Sequence, residues 1–158
     1  MTLDFVHLTA ERAREALALM QRFYAEESLE YREDRARGAL AQLLEHPEYG
    51  GLWFIELNGA TAGYFVLTAC WSLEFGGKYA LLDEFFVEQN RRGEGIGAAA
   101  LQRIAQEAGH MHVSAIRLEV DRQNPRVQAF YARSGFVSHD RDLMTKWLST
   151  KFAYSPDP

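Results

Sequence analysis

The apolar positions of this chain change their spacing several times, and each change marks a predicted element. A strand is predicted at residues 5–8, and a helix follows it, with Thr9 as its N-cap and Ala25 near its end. A second helix is predicted over about residues 34–45, because apolar residues again recur every three or four positions. The predicted inward-facing residues are Ala13, Ala16, Leu17, Met20 and Tyr24 in the first helix, and Ala36, Leu40, Leu43 and Leu44 in the second.

Strand-like segments rich in aromatic and β-branched residues replace the helical spacing after His46-Pro47. Asn58-Gly59 is a strong hairpin motif, and Gly76-Gly77 predicts a second turn. Together these features predict three antiparallel strands, over residues 51–57, 61–71 and 79–87.

The second half of the chain returns to helical spacing. A helix is predicted to end at Gly109 and to bury Ile96, Ala100, Leu101, Ile104 and Ala108. Residues 116–120 alternate as a strand does. Asn124-Pro125 places an N-cap before a proline at the first helical position, and the helix that it opens is predicted to end at Gly135.

The last predicted element is a hairpin formed by residues 136–137 and 143–148, with its turn at 139–142. A loose tail follows, and we take 151–158 as its extent. Three hairpin-linked strands followed by helices, strands and no linker predict one α+β domain over residues 1–150.

Composition narrows the class of protein further. The net charge of −5 argues against a general nucleic-acid binder, which is usually basic. No apolar run is long enough to span a bilayer, and the first residues lack the pattern of a secretory leader. Cys70 is the only cysteine, so an internal disulfide is impossible and a reducing compartment is expected. We therefore expect a cytoplasmic protein without membrane or nucleic-acid partners.

The segment that is most informative about function follows the strand predicted over 79–87. It reads Arg91-Arg92-Gly93-Glu94-Gly95-Ile96-Gly97. Glycines let the main chain close tightly around a ligand, because no Cβ blocks the approach. A helix that begins there presents unpaired N–H groups and the positive end of its dipole. This combination predicts an anion site, most often for phosphate or pyrophosphate.

Two nucleotide-binding interpretations compete for the same segment. Gly95, Gly97 and Ala100 fit the dinucleotide fingerprint, with Glu119 about 20 residues further on. That fold places its glycines on the first βα turn of an alternating pattern, whereas here three hairpin-linked strands come first. A P-loop is excluded because no Gly-Lys-Ser/Thr ends the motif.

The run from Arg92 to Gly97 resembles the Arg/Gln-x-x-Gly-x-Gly/Ala motif of the GNAT superfamily of acyl-CoA-dependent N-acyltransferases. Asn124, Ala129-Phe130-Tyr131 and Gly135-Phe136 resemble the second motif of that superfamily, in the right order and one helix and one strand later. The resemblance covers nearly the whole chain. It implies a mixed, mostly antiparallel central sheet flanked by about four helices.

The resemblance also implies that acetyl-CoA is the co-substrate and that the glycine turn wraps its pyrophosphate. The pantetheine arm is then expected to pair with the edge of the strand that precedes the turn, where this strand splays from its neighbour. The implied cofactor-binding residues are Phe85, Phe86, Val87, Arg91, Arg92, Gly93, Glu94, Gly95, Ile96, Gly97, Asn124, Arg126 and Tyr131.

Asp83 and Glu84 stand in the middle of an otherwise apolar strand, where a charge is costly unless it is paired or functional. One hypothesis makes one of them the general base that takes a proton from the acceptor ammonium. The structural alternative is a salt bridge to Arg117 or Lys78. Because successive side chains face opposite sides of a strand, at most one of the two faces a given cleft, and the sequence leaves the choice open.

Tyr131 is the third predicted catalytic residue. The resemblance implies that its phenol protonates the departing thiolate, and that the N–H of Val87 donates to the acyl oxygen. The structural alternative is a core tyrosine with its hydroxyl at the rim, since Val127 and Phe130 share its face.

An acidic run at the junction of the first two helices includes Glu26, Glu27, Glu30, Glu33 and Asp34. The resemblance implies that this junction lines the acceptor pocket, with Trp71 and Glu74 on the opposite wall; a solvated helix end is the alternative. An acidic, aromatic pocket suits a small cationic amine.

The run 82–87 is also similar to diamine and polyamine acetyltransferases. The function alternatives are a non-catalytic acyl-CoA-binding module and a dinucleotide-binding oxidoreductase. No metal is expected at His110 and His112, and a homodimer is an expectation from the resemblance alone.

Overall fold

The first helices and strands of the chain lie where the spacing of apolar residues predicts them. In a computed structural model, which describes residues 2–149, the chain forms two compact units that divide after Asp121. We describe the units separately. The predicted tail at 151–158 lies outside the described residues.

The first unit contains a five-stranded sheet whose strands follow one another in chain order. Neighbouring strands are antiparallel except for the last pair, which is parallel. The strands are β1 (Leu3–His7), β2 (Gly50–Leu57), β3 (Ala60–Ser72), β4 (Gly77–Val87) and β5 (Ile116–Arg117). The turn between β2 and β3 has positive φ angles at Asn58 (52°) and Gly59 (78°), as the Asn-Gly motif predicts.

Residues 2–149 form four α-helices: α1 (Ala13–Glu26), α2 (Glu33–Glu45) and α3 (Ile96–His110) in the first unit, and α4 (Pro125–Arg133) in the second. This arrangement is the mostly antiparallel α+β architecture that the resemblance implies. Helix α3 buries the five residues that its spacing predicts, Ile96, Ala100, Leu101, Ile104 and Ala108.

The core between the first two helices and the sheet is built from inward-facing residues of both. Ala16, Met20, Ala36 and Leu40 are buried there as predicted, and Leu19 joins them. The sheet contributes Leu52, Phe54, Tyr64, Val66 and Phe86. The core thereby holds the C-terminal end of α1 against the middle of the sheet.

Three predicted boundaries in the first unit are wrong. Thr9 does not cap α1, because a 3₁₀ turn over Ala10–Arg12 intervenes and the N–H of Arg12 donates to the carbonyl of Thr9. Gly109 lies inside α3 rather than after it, and the positive φ angle occurs instead at His112 (55°). The strand predicted over 116–120 is only two residues long, so most of its length is loop.

The second unit contains α4, whose start is as predicted. Oδ1 of Asn124 accepts a hydrogen bond from the N–H of Val127 (3.2 Å), and Pro125 follows as the first helical residue. After the helix, Gly135 has a φ angle of 90° and the N–H of Phe136 donates to the carbonyl of Tyr131.

The predicted hairpin at 136–148 is wrong, because the described residues form no strand there. Arg122 contacts the residues predicted as the turn of this hairpin. Its guanidinium binds Asp140 and Asp142 and donates to the carbonyl of Arg141 (2.8 Å). A two-stranded hairpin is only marginally stable without a further strand or a helix packed against it.

None of the helices formed by residues 2–149 has the length and apolar character that crossing a bilayer requires.

Candidate active site

Strand β4 contains a β-bulge at Asp83. In the register with β3, Leu82 lies opposite Leu67 and Glu84 lies opposite Val66, so that Asp83 is the extra residue. A bulge breaks the simple alternation of faces and turns the extra side chain away from its neighbours. Consequently Leu82 and Glu84 are both buried, whereas Asp83 between them is exposed.

The outer edge of β4 is unpaired with β5 beyond this bulge. Strand β5 pairs only with Ala80 and Leu81, at the beginning of the edge. The N–H of Glu88 donates to the carbonyl of Ala62 (2.8 Å), so Glu88 and Phe86 direct their main-chain groups toward β3. Val87 lies between them and directs its N–H and C=O toward the open edge. Because β5 is only two residues long, this part of the β4 edge has no paired strand beside it within residues 2–149.

Glu84 is a buried carboxylate held by two phenols. Glu84 is only 8% exposed. The hydroxyl of Tyr24, on α1, donates to Oε1 (2.5 Å), and the hydroxyl of Tyr64, on β3, donates to Oε2 (2.7 Å). Both oxygens are therefore engaged, and neither Arg117 nor Lys78 is the partner, contrary to the predicted structural alternative. Arg117 instead lies over the rings of Phe75 and Tyr79.

Burial and charge shift the protonation of this cluster. Burial raises the pKa of Glu84, although the two phenol hydrogen bonds partly oppose the shift. Burial also raises the pKa of Tyr24 and of Tyr64, and the Glu84 carboxylate raises both further. The two phenols consequently remain protonated donors, and Glu84 remains their acceptor.

Asp83 differs from Glu84 in both access and partners. Its side chain reaches solvent, but it lies in the wall of a concave surface, and the surrounding protein raises its pKa. A carboxylate with a raised pKa at the surface of a cleft binds a proton more readily than an ordinary aspartate, which makes Asp83 a candidate general base.

That concave surface is a cleft of about 490 Å³. Three segments of the first unit form it: the end of α1 with the residues that follow, the bulge of β4, and the loop after β5. Its lining consists of Phe23, Tyr24, Glu27, Leu29, Asp83, Glu84, Glu119, Val120 and Asp121. Five of these nine are carboxylic acids and none is basic, so the cleft favours a cation.

The glycine turn after β4 has the backbone conformation that its sequence predicts. The φ angles of Gly93 (86°) and Gly95 (80°) are positive, and Gly95 is the N-cap of α3. A Cβ at either glycine would meet no atom within 4 Å, so both face open space. The first-turn N–H groups of α3 have no acceptor within the helix, and this cradle fits an anion such as a pyrophosphate.

The side chain of Arg92 is engaged elsewhere than in this cradle. Its Nη2 lies 2.6 Å from Oε1 of Glu26 at the end of α1, and its Nε donates to the carbonyl of Val87 (2.9 Å). The guanidinium also lies over the ring of Phe86. Two neighbouring residues of the acidic run at the end of α1 therefore have different contacts. Glu27 lines the cleft, and Glu26 forms an ion pair with Arg92.

The remaining predicted site residues fall into two groups. Phe85, Phe86 and Val87 end β4, and Arg91, Glu94, Ile96 and Gly97 lie on the turn or the start of α3, all within the first unit. Asn124, Arg126 and Tyr131 lie at or on α4 in the second unit, where the ring of Tyr131 contacts those of Phe130 and Phe136.

Two residues that the resemblance implies for the opposite wall of an acceptor pocket do not line this cleft. Trp71 and Glu74 are absent from its lining, and Trp71 is 73% exposed near the turn between β3 and β4. Glu119, Val120 and Asp121 line it instead. Two acids directly after a strand were the available signal, and the longer strand predicted over 116–120 concealed it.

Comparisons with known proteins agree with the fold. A family model described as the acetyltransferase (GNAT) family matches residues 14–136. Comparison with curated protein sequences returned no match. Among solved structures, integron cassette protein HFX_CASS3, from the mobile metagenome of Cole Harbour Salt Marsh, is 33% identical. The match covers 92% of this chain and 90% of that one, with a TM-score of 0.80.

Two more distant structures share the fold. A predicted acetyltransferase from Clostridium acetobutylicum, solved with acetyl-CoA, is 16% identical over 92% of this chain and 96% of its own, with a TM-score of 0.77. The aminoglycoside N-acetyltransferase AAC(6')-Iy, solved with CoA, is 12% identical over 94% and 96% of the two chains, with a TM-score of 0.77.

Proposed function

The chain belongs to the acetyltransferase (GNAT) family, and we propose that it acetylates the primary amine of a small cationic molecule. It is an acyl-CoA-dependent N-acetyltransferase whose co-substrate is acetyl-CoA. The observation that carries the proposal is the acidic cleft at the bulge of β4, the strand that leads into the glycine turn.

Acetyl-CoA supplies an activated acyl group as a thioester, and the residues of this chain would hold it. The N–H groups from Arg92 to Gly97 would donate to the diphosphate, and the positive end of α3 would favour its charge. Phe85 and Val87 would offer their outward main-chain groups to an amide-bearing arm, as an added strand does. Arg91 and Arg126 would add positive charge around the phosphates.

Asp83 would act as the general base. Of the two predicted acids it is the one that solvent and substrate can reach, and its raised pKa suits proton acceptance. Both oxygens of Glu84 already accept phenol hydrogen bonds, so its part would be to fix Tyr24 in the cleft wall and to add negative charge. The amine would then attack by direct transfer, with the N–H of Val87 donating to the acyl oxygen.

Tyr131 would return a proton to the sulfur as the amine becomes an amide, a role that its place in the second motif supports. Exchanging Tyr131→Phe should lower kcat far more than it weakens acetyl-CoA binding. The matched exchange Tyr49→Phe, at a half-exposed tyrosine of a 3₁₀ turn, should leave both unchanged. Equal kcat values for the two variants would remove Tyr131 from this role.

The acidic residues of the cleft indicate the chemical class of the acceptor. Five carboxylic acids around one cavity disfavour an anionic acceptor and favour one that carries positive charge beyond the reacting amine. The aromatic rings of Phe23 and Tyr24 can contact such a cation from the same wall.

A screen for CoA release tests this proposal. Acetyl-CoA is offered with diamines, mono-amines, amino acids and peptides with free N-termini, at matched concentrations. We expect diamines and cationic mono-amines to give the highest kcat/KM, and this preference to fall at high salt because charge carries it. A preference for peptides or for acidic amino acids would contradict the proposed acceptor class.

A further inference from the structure

Two ion pairs join α1 to the segment that follows β4. Arg22 binds Glu88, and one helical turn later Glu26 binds Arg92. The helix supplies the cation in the first pair and the anion in the second, so both pairs form in only one alignment of the two segments. This arrangement ties the end of α1 to the start of the glycine turn.

Arg92 makes more contacts than Arg22 does. One guanidinium contacts Glu26 through Nη2 and the carbonyl of Val87 through Nε, and it lies 5.8 Å from the centre of the Phe86 ring. A planar guanidinium can bind two acceptors in fixed directions, which a lysine ammonium does not reproduce.

Each of these contacts has a place in the proposed site. The carbonyl of Val87 points to the open edge of β4, so Arg92 occupies it and leaves the N–H of the same residue available. The end of α1 carries Tyr24 and Glu27, which line the acceptor cleft. Arg92 itself begins the glycine turn.

We propose that Arg92 is a positioning residue that couples the two halves of the site. By holding Glu26 and the Val87 carbonyl at once, it makes binding of acetyl-CoA at the glycine turn order the α1 wall of the acceptor cleft. This inference rests on the proposed placement of acetyl-CoA at the turn, but it does not depend on which amine the enzyme accepts.

The coupling works through order rather than through the strength of one ion pair. Both side chains of the Glu26–Arg92 pair are about 40% exposed (39% and 42%), and an exposed pair contributes little stability by itself. A ligand that immobilises the turn would immobilise Arg92, and Arg92 would then restrict the helix end to which it is bound.

The main-chain amides at the end of α1 report this effect directly. Glu27 donates to Phe23 (3.0 Å), Ser28 to Ala25 (3.3 Å) and Leu29 to Tyr24 (2.8 Å). Hydrogen exchange of these three amides is measured with and without saturating acetyl-CoA. In the natural chain we expect acetyl-CoA to slow their exchange by about fivefold, a typical size for coupling between two sites.

Two variants remove the coupling in different ways. Glu26→Gln removes the negative charge that Arg92 binds. Arg92→Lys keeps the positive charge but removes the planar guanidinium that binds two acceptors at once. In both, the slowing at Glu27, Ser28 and Leu29 should disappear, with acetyl-CoA added at a concentration that calorimetry shows to saturate each variant. The double variant should behave as either single one, because both changes break the same contact.

Matched variants control for loss of charge or of arginine alone. Glu107→Gln breaks an ion pair with Arg103 at the far end of α3, and Arg37→Lys alters an ion pair with Glu33 on α2. Both should keep the full slowing by acetyl-CoA. The proposal is overturned if the natural chain shows no slowing, or if Glu26→Gln and Arg92→Lys retain it. An amine screen without the expected preference for cationic amines would contradict the proposed acceptor class and would leave this exchange result unaffected.

Discussion

The hydroxyl of Tyr24 donates a 2.5 Å hydrogen bond to Oε1 of Glu84, a residue 60 positions later in the chain. The contact joins the end of α1 to the middle of β4, and both residues line the acidic cleft. Since Tyr64 occupies the other oxygen, Glu84 is held from two sides. The neighbouring Asp83 is the acid that remains accessible, and the predictions below separate the two.

Asp83→Asn should mainly affect catalysis, whereas Glu84→Gln should mainly affect stability. If Asp83 is the general base, Asp83→Asn lowers kcat by about 10²- to 10⁴-fold and leaves acetyl-CoA binding unchanged. Glu84→Gln should mainly lower stability, because the amide cannot accept both phenol hydrogen bonds as well as a carboxylate does. Steady-state kinetics and urea unfolding measure the two effects.

The same exchange at Asp4→Asn, an exposed residue of the distal strand β1, controls for loss of one negative charge. If Glu84→Gln lowered kcat by this factor without loss of stability while Asp83→Asn did not, the base would be Glu84.

The raised pKa of Asp83 predicts a pH dependence of activity and of stability. Activity should fall with decreasing pH through a pKa above the ordinary value of 3.8, because the base becomes protonated. The free energy of unfolding should depend on pH in the opposite direction. A carboxyl whose folded-state pKa is raised contributes its stability below the ordinary pKa and loses it as pH rises through the raised one.

The difference between the natural chain and Asp83→Asn isolates this group. The acid limb of kcat/KM that belongs to Asp83 should be missing in the variant. The natural chain should lose free energy of unfolding relative to the variant as pH increases above about 4, the ordinary range of an aspartate. A difference that stays constant with pH would contradict the raised pKa.

Tyr64→Phe should destabilise the protein more than other exchanges of tyrosine for phenylalanine. Tyr64 is fully buried, and removing its hydroxyl leaves Oε2 of Glu84 without this donor. The expected cost is about 1.5–3 kcal/mol, the usual range for a hydrogen bond to a charged group. Urea unfolding at neutral pH measures it, and Tyr49→Phe, whose hydroxyl is at the surface, should cost close to nothing.

Gly95→Ala should weaken acetyl-CoA binding, and Gly59→Ala provides a close control. The two glycines have nearly the same φ angles (80° and 78°), and neither has an atom within 4 Å of a built Cβ. Both exchanges should therefore cost about 1–2 kcal/mol in backbone strain. Only Gly95 lies at the proposed diphosphate site, so calorimetry should show weaker acetyl-CoA binding for Gly95→Ala alone. Equal effects of the two exchanges on binding would argue against that site.

Local patterns predicted much of this protein correctly. The five buried residues of α3 follow from helical spacing, the turn at Asn58-Gly59 from the backbone preference of those two residues, and the cap at Asn124 from its place before Pro125. Each of these depends on interactions between residues close together in the chain. The family motif in the glycine turn is equally local, which is why the class of enzyme was accessible from the sequence.

The features that separate Asp83 from Glu84 are not local. Alternation along a strand puts adjacent residues on opposite faces, but the register between β3 and β4 introduces the bulge that exposes Asp83 between two buried residues. Similarly, because β5 is only two residues long, Glu119 and Val120 line the cleft instead of continuing the predicted strand.

The sequence by itself thus determined most of the helices and strands of the first unit, the glycine turn and the two candidate acids, because periodicity and backbone preference act over a few residues. The tertiary structure alone decided which acid is held and which is accessible. It also decided which side chains complete the cleft, because strand register and contacts across 60 residues depend on how the whole sheet and α1 pack together.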